Sequence, residues 1–156
     1  MVLVYKISAI TLSITDMERS CKFYSRIPGF KVIYGGSKDD SFTTFEIGSP
    51  YTKEGRRQLK VKNGVTSCLN LKILKDHTNK SKKLSVKKNA DFGRIIFHTD
   101  NVDKIYHQLK YDMYMRKLTT FKNEPTDAPW GERFFHIRDP DDYQLSFAQP
   151  LGIYRK

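Results

Sequence analysis

Cysteine, tryptophan and long hydrophobic runs are all scarce in this chain of 156 residues. Its two cysteines, Cys21 and Cys68, cannot form a disulfide framework or, by themselves, a zinc knuckle. Two reduced thiols in a cytoplasmic protein is the reading they support. No apolar run approaches the length needed to cross a bilayer, so no membrane partner is expected. The first residues, Met1 to Lys6, lack the long apolar region and small-residue cleavage site of a secretory signal. Acidic residues are outnumbered as well: 28 lysines and arginines face 17 aspartates and glutamates, for a net charge of +11. That balance invites a nucleic-acid partner, but no zinc-finger spacing or aromatic ribonucleoprotein signature accompanies it. Much of the charge lies in Lys75 to Lys88, which carries six lysines and no aromatic, and in Lys53 to Lys62. Neither stretch interleaves aromatics with cations, as a platform for single strands requires. The first reads as a solvated linker and the second as a solvated hairpin loop. Incidental polyanion binding, or an adaptor role for the lysine linker, is the weakest of the functional readings.

What the chain does have is aromatic mass, 10 Phe and 9 Tyr, enough for a packed core in one domain or two small modules. Ile7 to Ile14 alternates, with Ile10, Leu12 and Ile14 on one face and Ala9, Thr11 and Ser13 on the other, as a half-buried strand does. Thr15 to Glu18 reads as a Thr-x-x-Glu capping box. It opens a helix whose buried stripe is Met17, Cys21 and Tyr24, extended by Ile27, and Pro28-Gly29 stops it. Strands follow at Phe30 to Tyr34, Ser41 to Ile47 and Val65 to Leu74, the last with Leu69, Leu71 and Ile73 opposite Cys68, Asn70 and Lys72. After the lysine-rich linker the order repeats. Gly93 to Thr99 is a strand with Ile95 and Phe97 opposite Arg94, Ile96 and His98. Asp100 caps a helix with Val102, Ile105, Tyr106 and Leu109 on one stripe. A strand near Leu118 to Lys122 precedes a Pro/Asp-rich loop and a hairpin inside PWGERFFHIRDPDDYQLSFAQP, residues 129–150. There Phe134 and His136 share a face with Gln144, Ser146 and Ala148.

Setting Met17 against Val102 brings Ile10 to Ile95, Leu12 to Phe97 and Ala9 to Arg94. The expected fold is therefore α+β: two tandem βαβββ modules, 5–74 and 91–150, separated by a linker over 75–90. Each module covers one sheet face with its helix and leaves the other free. Two curved, mostly antiparallel sheets joined edge to edge would enclose a cavity, the usual setting for a pocket.

These segments resemble the vicinal oxygen chelate superfamily, which contains glyoxalases, extradiol dioxygenases and bleomycin- and fosfomycin-resistance proteins. Asp16, Ser20, Phe23 and Tyr24 match the family's D-L-x-x-S-x-x-F-Y pattern. Asp139, Pro140 and Asp141 match its D-P-D-G turn, where Asp142 replaces the glycine and is expected to tolerate the left-handed backbone. The resemblance spans nearly the whole chain and implies a single domain over 1–156 and a homodimer. It also implies a divalent metal held by a first-strand His and a last-strand Glu. The corresponding positions here are Ala9 and Arg94, and approximately Asn70 and Ser146, with Arg94 expected as the strand partner of Ser146. None of the four can supply the usual donors, so neither metal nor other cofactor is expected.

The resulting expectation is a metal-independent small-molecule-binding protein. Arg94 would anchor an anionic or polar aromatic ligand, with His98, His136, Ser146, Gln144 and Asn70 as polar partners. Trp130, Phe134 and Phe45 would form apolar walls. The alternative is a glyoxalase- or dioxygenase-like enzyme (lyase, isomerase or oxygenase) with a non-standard or absent metal site. In it His98 and His136 would supply a general base or an unorthodox two-His site, and Cys68 is the remoter candidate nucleophile. The competing structural explanation is that Arg94 makes an internal ion pair and the histidines are exposed or internally satisfied. His77 and His107 read as solvent-facing.

Overall fold

The computed structural model describes residues 7–48, 67–74 and 92–152. The two lysine-rich stretches and His77 lie outside the described residues. The chain divides into two compact units, Met1–Lys75 and Asp76–Lys156.

The first unit runs β1 (Ala9–Ile14), α1 (Met17–Tyr24), β2 (Phe30–Tyr34), β3 (Phe42–Ile47) and β4 (Ser67–Ile73). Its sheet has the order β1-β4-β3-β2. β1 and β4 are parallel, and the other pairs are antiparallel. The N-cap of α1 is Asp16, whose side chain accepts from the Arg19 backbone N–H at 2.9 Å. Thr15 lies one residue outside and accepts instead from the Arg19 guanidinium at 2.8 Å. The expected capping box is thus displaced by one residue, because Asp16 is the better acceptor and has the extended backbone of a cap. Gly29, at φ 89°, takes the left-handed conformation that ends the helical segment. Met17, Cys21, Tyr24 and Ile27 are buried, as are Leu12, Ile14, Leu69 and Leu71. Phe45 corrects an expectation. It is fully buried with its ring 6.0 Å from that of Tyr24, so it belongs to the core beneath α1 and is no wall of a ligand site.

The second unit runs β5 (Arg94–His98), α2 (Val102–Tyr111), α3 (Met113–Leu118), β6 (Thr120–Phe121), β7 (Thr126–Asp127), β8 (Glu132–Arg138) and β9 (Gln144–Pro150). The sheet order is β5-β9-β8-β6, with β7 also pairing β8. Here too the outer first strand is parallel to the last, β5 to β9. Asn101, not Asp100, caps α2, accepting from the Lys104 N–H at 2.8 Å. The strand expected over Leu118 to Lys122 shrinks to β6, because α3 occupies the chain up to Leu118. Asp112 makes this short helix by accepting from the N–H groups of Tyr114 (2.8 Å) and Met115 (2.9 Å). Met115, fully buried, pins it to the core. Arg133 fastens α2 to the sheet: it donates twice to Asp103 at 2.9 Å and once to Asp127 at 2.6 Å.

The β8–β9 turn settles as the sequence suggests. Asp142 has φ 69°, the left-handed region, and is the one non-glycine residue described there. Asp139 stabilises the turn by accepting from the N–H groups of Asp141 (3.0 Å) and Tyr143 (2.8 Å). The paired register sets Phe134 opposite Ala148, His136 opposite Ser146 and Arg138 opposite Gln144. Phe135, Ile137, Leu145 and Phe147 face the other way and are buried with Val102, Ile105, Tyr106 and Leu109 of α2. Burying each large apolar side chain of this kind contributes about 1.5–3 kcal/mol. The architecture is α+β, with one helix-covered face on each sheet. Among the described residues no helix is long and apolar enough to cross a membrane.

Candidate ligand-binding face

Strand alternation decides what the face of β5, β9 and β8 opposite α2 contains, because residues two apart point the same way. On β5 these are Arg94, Ile96 and His98. On β9 they are Gln144, Ser146 and Ala148, and on β8 Glu132, Phe134, His136 and Arg138. Arg94 pairs across the sheet with Gln144, and Ser146 pairs with Ile96 and His136. The expected Arg94–Ser146 strand pairing is therefore one rung off.

Two polar groups occupy this face. In the first, Arg94 Nη1 lies 3.1 Å from His136 Nε2, and Arg94 Nη2 donates to Gln144 Oε1 at 3.2 Å. The other nitrogen of His136, Nδ1, lies 2.8 Å from Ser146 Oγ. A guanidinium only donates, so Nε2 must accept, and the imidazole proton sits on Nδ1 facing the serine. The serine hydroxyl in turn is 3.4 Å from the carbonyl of Phe135, toward which it donates. This polarity rules out the Ser146–His136 pair as a nucleophile and its base, since the base nitrogen is already committed to Arg94. Burial, and then the Arg94 charge, push the His136 pKa below its ordinary value, which agrees with a neutral ring. The backbone N–H of His136 is held by Asn123 Oδ1 at 2.9 Å.

Glu132 centres the second group. One carboxylate oxygen lies 3.4 Å from His98 Nε2, and the other accepts from the Trp130 indole N–H at 2.9 Å. Between the groups runs a ladder of rings. Trp130 stacks on Phe134 at 5.8 Å and 19°, and Phe134 contacts His136 at 4.7 Å. Trp130 is 63% exposed and Ile96 59%, so the middle of the face is open and apolar.

The structure thus brings Arg94, Gln144, His136, Ser146, Phe134, Trp130 and His98 onto one face. Asn70 belongs to the first unit, where its amide donates to Thr11 Oγ1 at 3.2 Å. The two histidines do not form a joint site. His98 is level with Ala148 and Phe134, His136 is one rung away on the second strand over, and their Cα atoms are about 12 Å apart by strand spacing and rise. Cys68 is half-buried in the first unit, opposite Ala9 and Glu46. Burial pushes the Cys21 thiol up, away from a reactive thiolate. His107 stacks on Tyr111 along α2, outside this face. Two participants escaped the sequence reading. Glu132 continues the 134/136 alternation one step earlier and could have been found by extending it; Asn123 lies in a loop with no periodic signal.

Comparison with known proteins now decides the family. The model of the Glyoxalase/Bleomycin resistance protein/Dioxygenase superfamily matches residues 6–147. The chain belongs to this superfamily. A search of curated proteins finds no match. Solved structures share the fold at low identity. A superfamily enzyme from Burkholderia phytofirmans PsJN has 15% identity and TM-score 0.60, covering 92% of this chain and 98% of its own. The bleomycin resistance determinant encoded on transposon Tn5 has 16% identity and TM-score 0.58, covering 94% and 98%. A protein of unknown function from Agrobacterium tumefaciens str. C58 has 16% identity and TM-score 0.62, covering 96% and 98%.

The residues of this superfamily member do not fit the divalent ion that the resemblance implies. At the first-strand position of the second unit stands a guanidinium, and the one imidazole beside it uses Nε2 to accept from that guanidinium. A cation there would meet a fixed positive charge and, among the described residues, no paired carboxylate. Among the described residues no three His, Cys, Asp or Glu side chains gather as a ligand set.

Proposed function

We propose that this superfamily member is a metal-independent small-molecule-binding protein, holding an anionic or polar aromatic ligand on the β5-β9-β8 face. One observation carries the proposal: Arg94 is oriented by two neutral acceptors, His136 and Gln144, at the foot of an open ring ladder. A guanidinium so held keeps its charge available for an oxyanion, and flat apolar surface beside it suits an aromatic ring. The fold shared with a bleomycin resistance determinant supports a binding role. Its thiols, Cys21 and Cys68, are free, which supports a cytoplasmic setting. A homodimer is part of the same proposal and is checked by light scattering on the purified chain.

Calorimetric titration with biphenyl carboxylate tests the anchor. Arg94→Ala is expected to weaken binding by about 10- to 150-fold, the equivalent of losing a charge-assisted hydrogen bond worth about 1.5–3 kcal/mol. Unchanged affinity would overturn the proposal.

A second reading, an enzyme of the superfamily with a non-standard or absent metal site, is favoured by one contact, the Glu132–His98 pair at 3.4 Å. A carboxylate beside an imidazole orients a general base. Elemental analysis separates the readings. Stoichiometric iron, manganese, nickel or zinc that disappears on mutating His98 or His136 would favour the enzyme.

A further inference from the structure

The binding face is not uniformly basic; its two ends carry opposite charge. Arg94 contacts two neutral groups, His136 and Gln144, and among the described residues no carboxylate pairs with it. The neighbouring Arg138 is different, because its charge is closed by Asp142 Oδ1 at 3.0 Å and the Asp142 carbonyl at 2.9 Å. At the other end, Glu132 is answered by an imidazole and an indole N–H, and among the described residues by no Lys or Arg. Arg94 and His98, the β5 residues that mark the two ends, are four residues apart, about 13 Å of extended strand. The ring ladder Trp130–Phe134–His136 and the exposed Ile96 fill the interval.

We infer that the face selects an elongated aromatic zwitterion, with an anionic group at Arg94 and a protonated amine at Glu132. This rests on the ligand-binding reading above and adds to it the second pole. A purely anionic aromatic ligand would cover Glu132 with apolar surface and leave its carboxylate stripped of water without a cationic partner, an unfavourable exchange. An ammonium group reverses that cost and forms a charge-assisted hydrogen bond. The Glu132–Trp130 bond serves the same end, since it fixes the indole plane over Phe134 and leaves the outer face of the indole exposed for stacking.

The test uses the full chain and two probes in calorimetry. One is a biphenyl with a carboxylate at one end and an aminomethyl group at the other; the second is the same biphenyl carboxylate without the amine. The zwitterion is expected to bind about tenfold or more tightly than the monoacid. Glu132→Gln, which keeps an oxygen for the Trp130 N–H, is expected to abolish that preference, weakening the zwitterion and sparing the monoacid the cost of covering a charge. Arg94→Ala is expected to weaken both probes. Equal binding of the two probes, or a preference that survives Glu132→Gln, overturns the second pole and leaves the binding reading standing. Binding of neither probe, or indifference of both to Arg94→Ala, overturns the binding reading itself.

Discussion

The sheet faces turned away from α1 and α2 share one register and carry different chemistry. Matching β1 to β5, β4 to β9 and β3 to β8 sets Ala9, Thr11 and Ser13 against Arg94, Ile96 and His98. It sets Cys68, Asn70 and Lys72 against Gln144, Ser146 and Ala148, and Phe42, Thr44 and Glu46 against Phe134, His136 and Arg138. In the first unit the cross-strand link at the centre is an amide bonded to a threonine. In the second it is a guanidinium–imidazole–serine chain. The helix-covered faces diverge less: Ile10 answers Ile95, Leu12 answers Phe97 and Leu69 answers Leu145. Packing against a helix constrains the covered face to apolar residues of suitable volume. The opposite face is released from that demand, and among the described residues the oriented guanidinium is found on the second unit's face.

The sharpest way to separate scaffold from site is to damage the cores. Phe45→Ala in the first unit and Phe135→Ala in the second, both fully buried, are each expected to cost about 3–5 kcal/mol in denaturant unfolding. A cost below about 1 kcal/mol at Phe45 would return it to the surface role that its aromatic character first suggested.

Next in size is the contrast between the faces themselves. Asn70→Ala is expected to leave biphenyl carboxylate affinity within about twofold, against the much larger loss at Arg94→Ala. Equal losses from the two substitutions would break the asymmetry. Circular dichroism on both variants checks that neither effect is unfolding.

The smallest expected effect concerns protons. His136 is held below its ordinary value near 6.5 by burial and by Arg94, so the unfolded chain binds a proton at this site more readily than the folded one. Its neutral form is favoured at pH 7. Stability is then lost as the pH falls below about 6.5 and levels off once the folded ring itself protonates. Replacing His136 by Asn is expected to flatten the acid limb of a stability–pH curve measured by urea titration between pH 7 and 5. An unchanged slope would mean that the ring titrates alike in the folded and unfolded chain, and a steeper one that it is charged in the fold, in which case the proton assignment toward Ser146 falls.

How much of this was legible in the sequence varies with the kind of interaction. Period-two alternation placed Arg94, His98, His136, Gln144 and Ser146 on one face because side-chain direction in a strand is nearly a counting rule. Register is not. Arg94 pairs with Gln144 and not Ser146, a shift set by how β5 meets β9, which nothing local to either strand encodes. Both helix caps were displaced by one residue for a related reason: Thr15 and Asp16, or Asp100 and Asn101, can each accept a backbone N–H, and the chain path chooses between them. The short α3 depends on the Asp112 cap and the burial of Met115, a single-anchor pattern too brief for periodicity to reveal. Phe45 was misplaced because FTTFEI offers two phenylalanines three apart, and a strand sends them to opposite faces.

Trp130 is the sole tryptophan of the chain. It lies largely in solvent, bonded to Glu132 and stacked on Phe134. The molecule therefore carries its own optical reporter at the place where a ligand would lie. Indole emission arises from one environment only, so any spectral shift, quenching or anisotropy change on titration reads out that face without averaging over other sites. Occupancy and orientation become measurable by light alone, with no label and no assumption about catalysis.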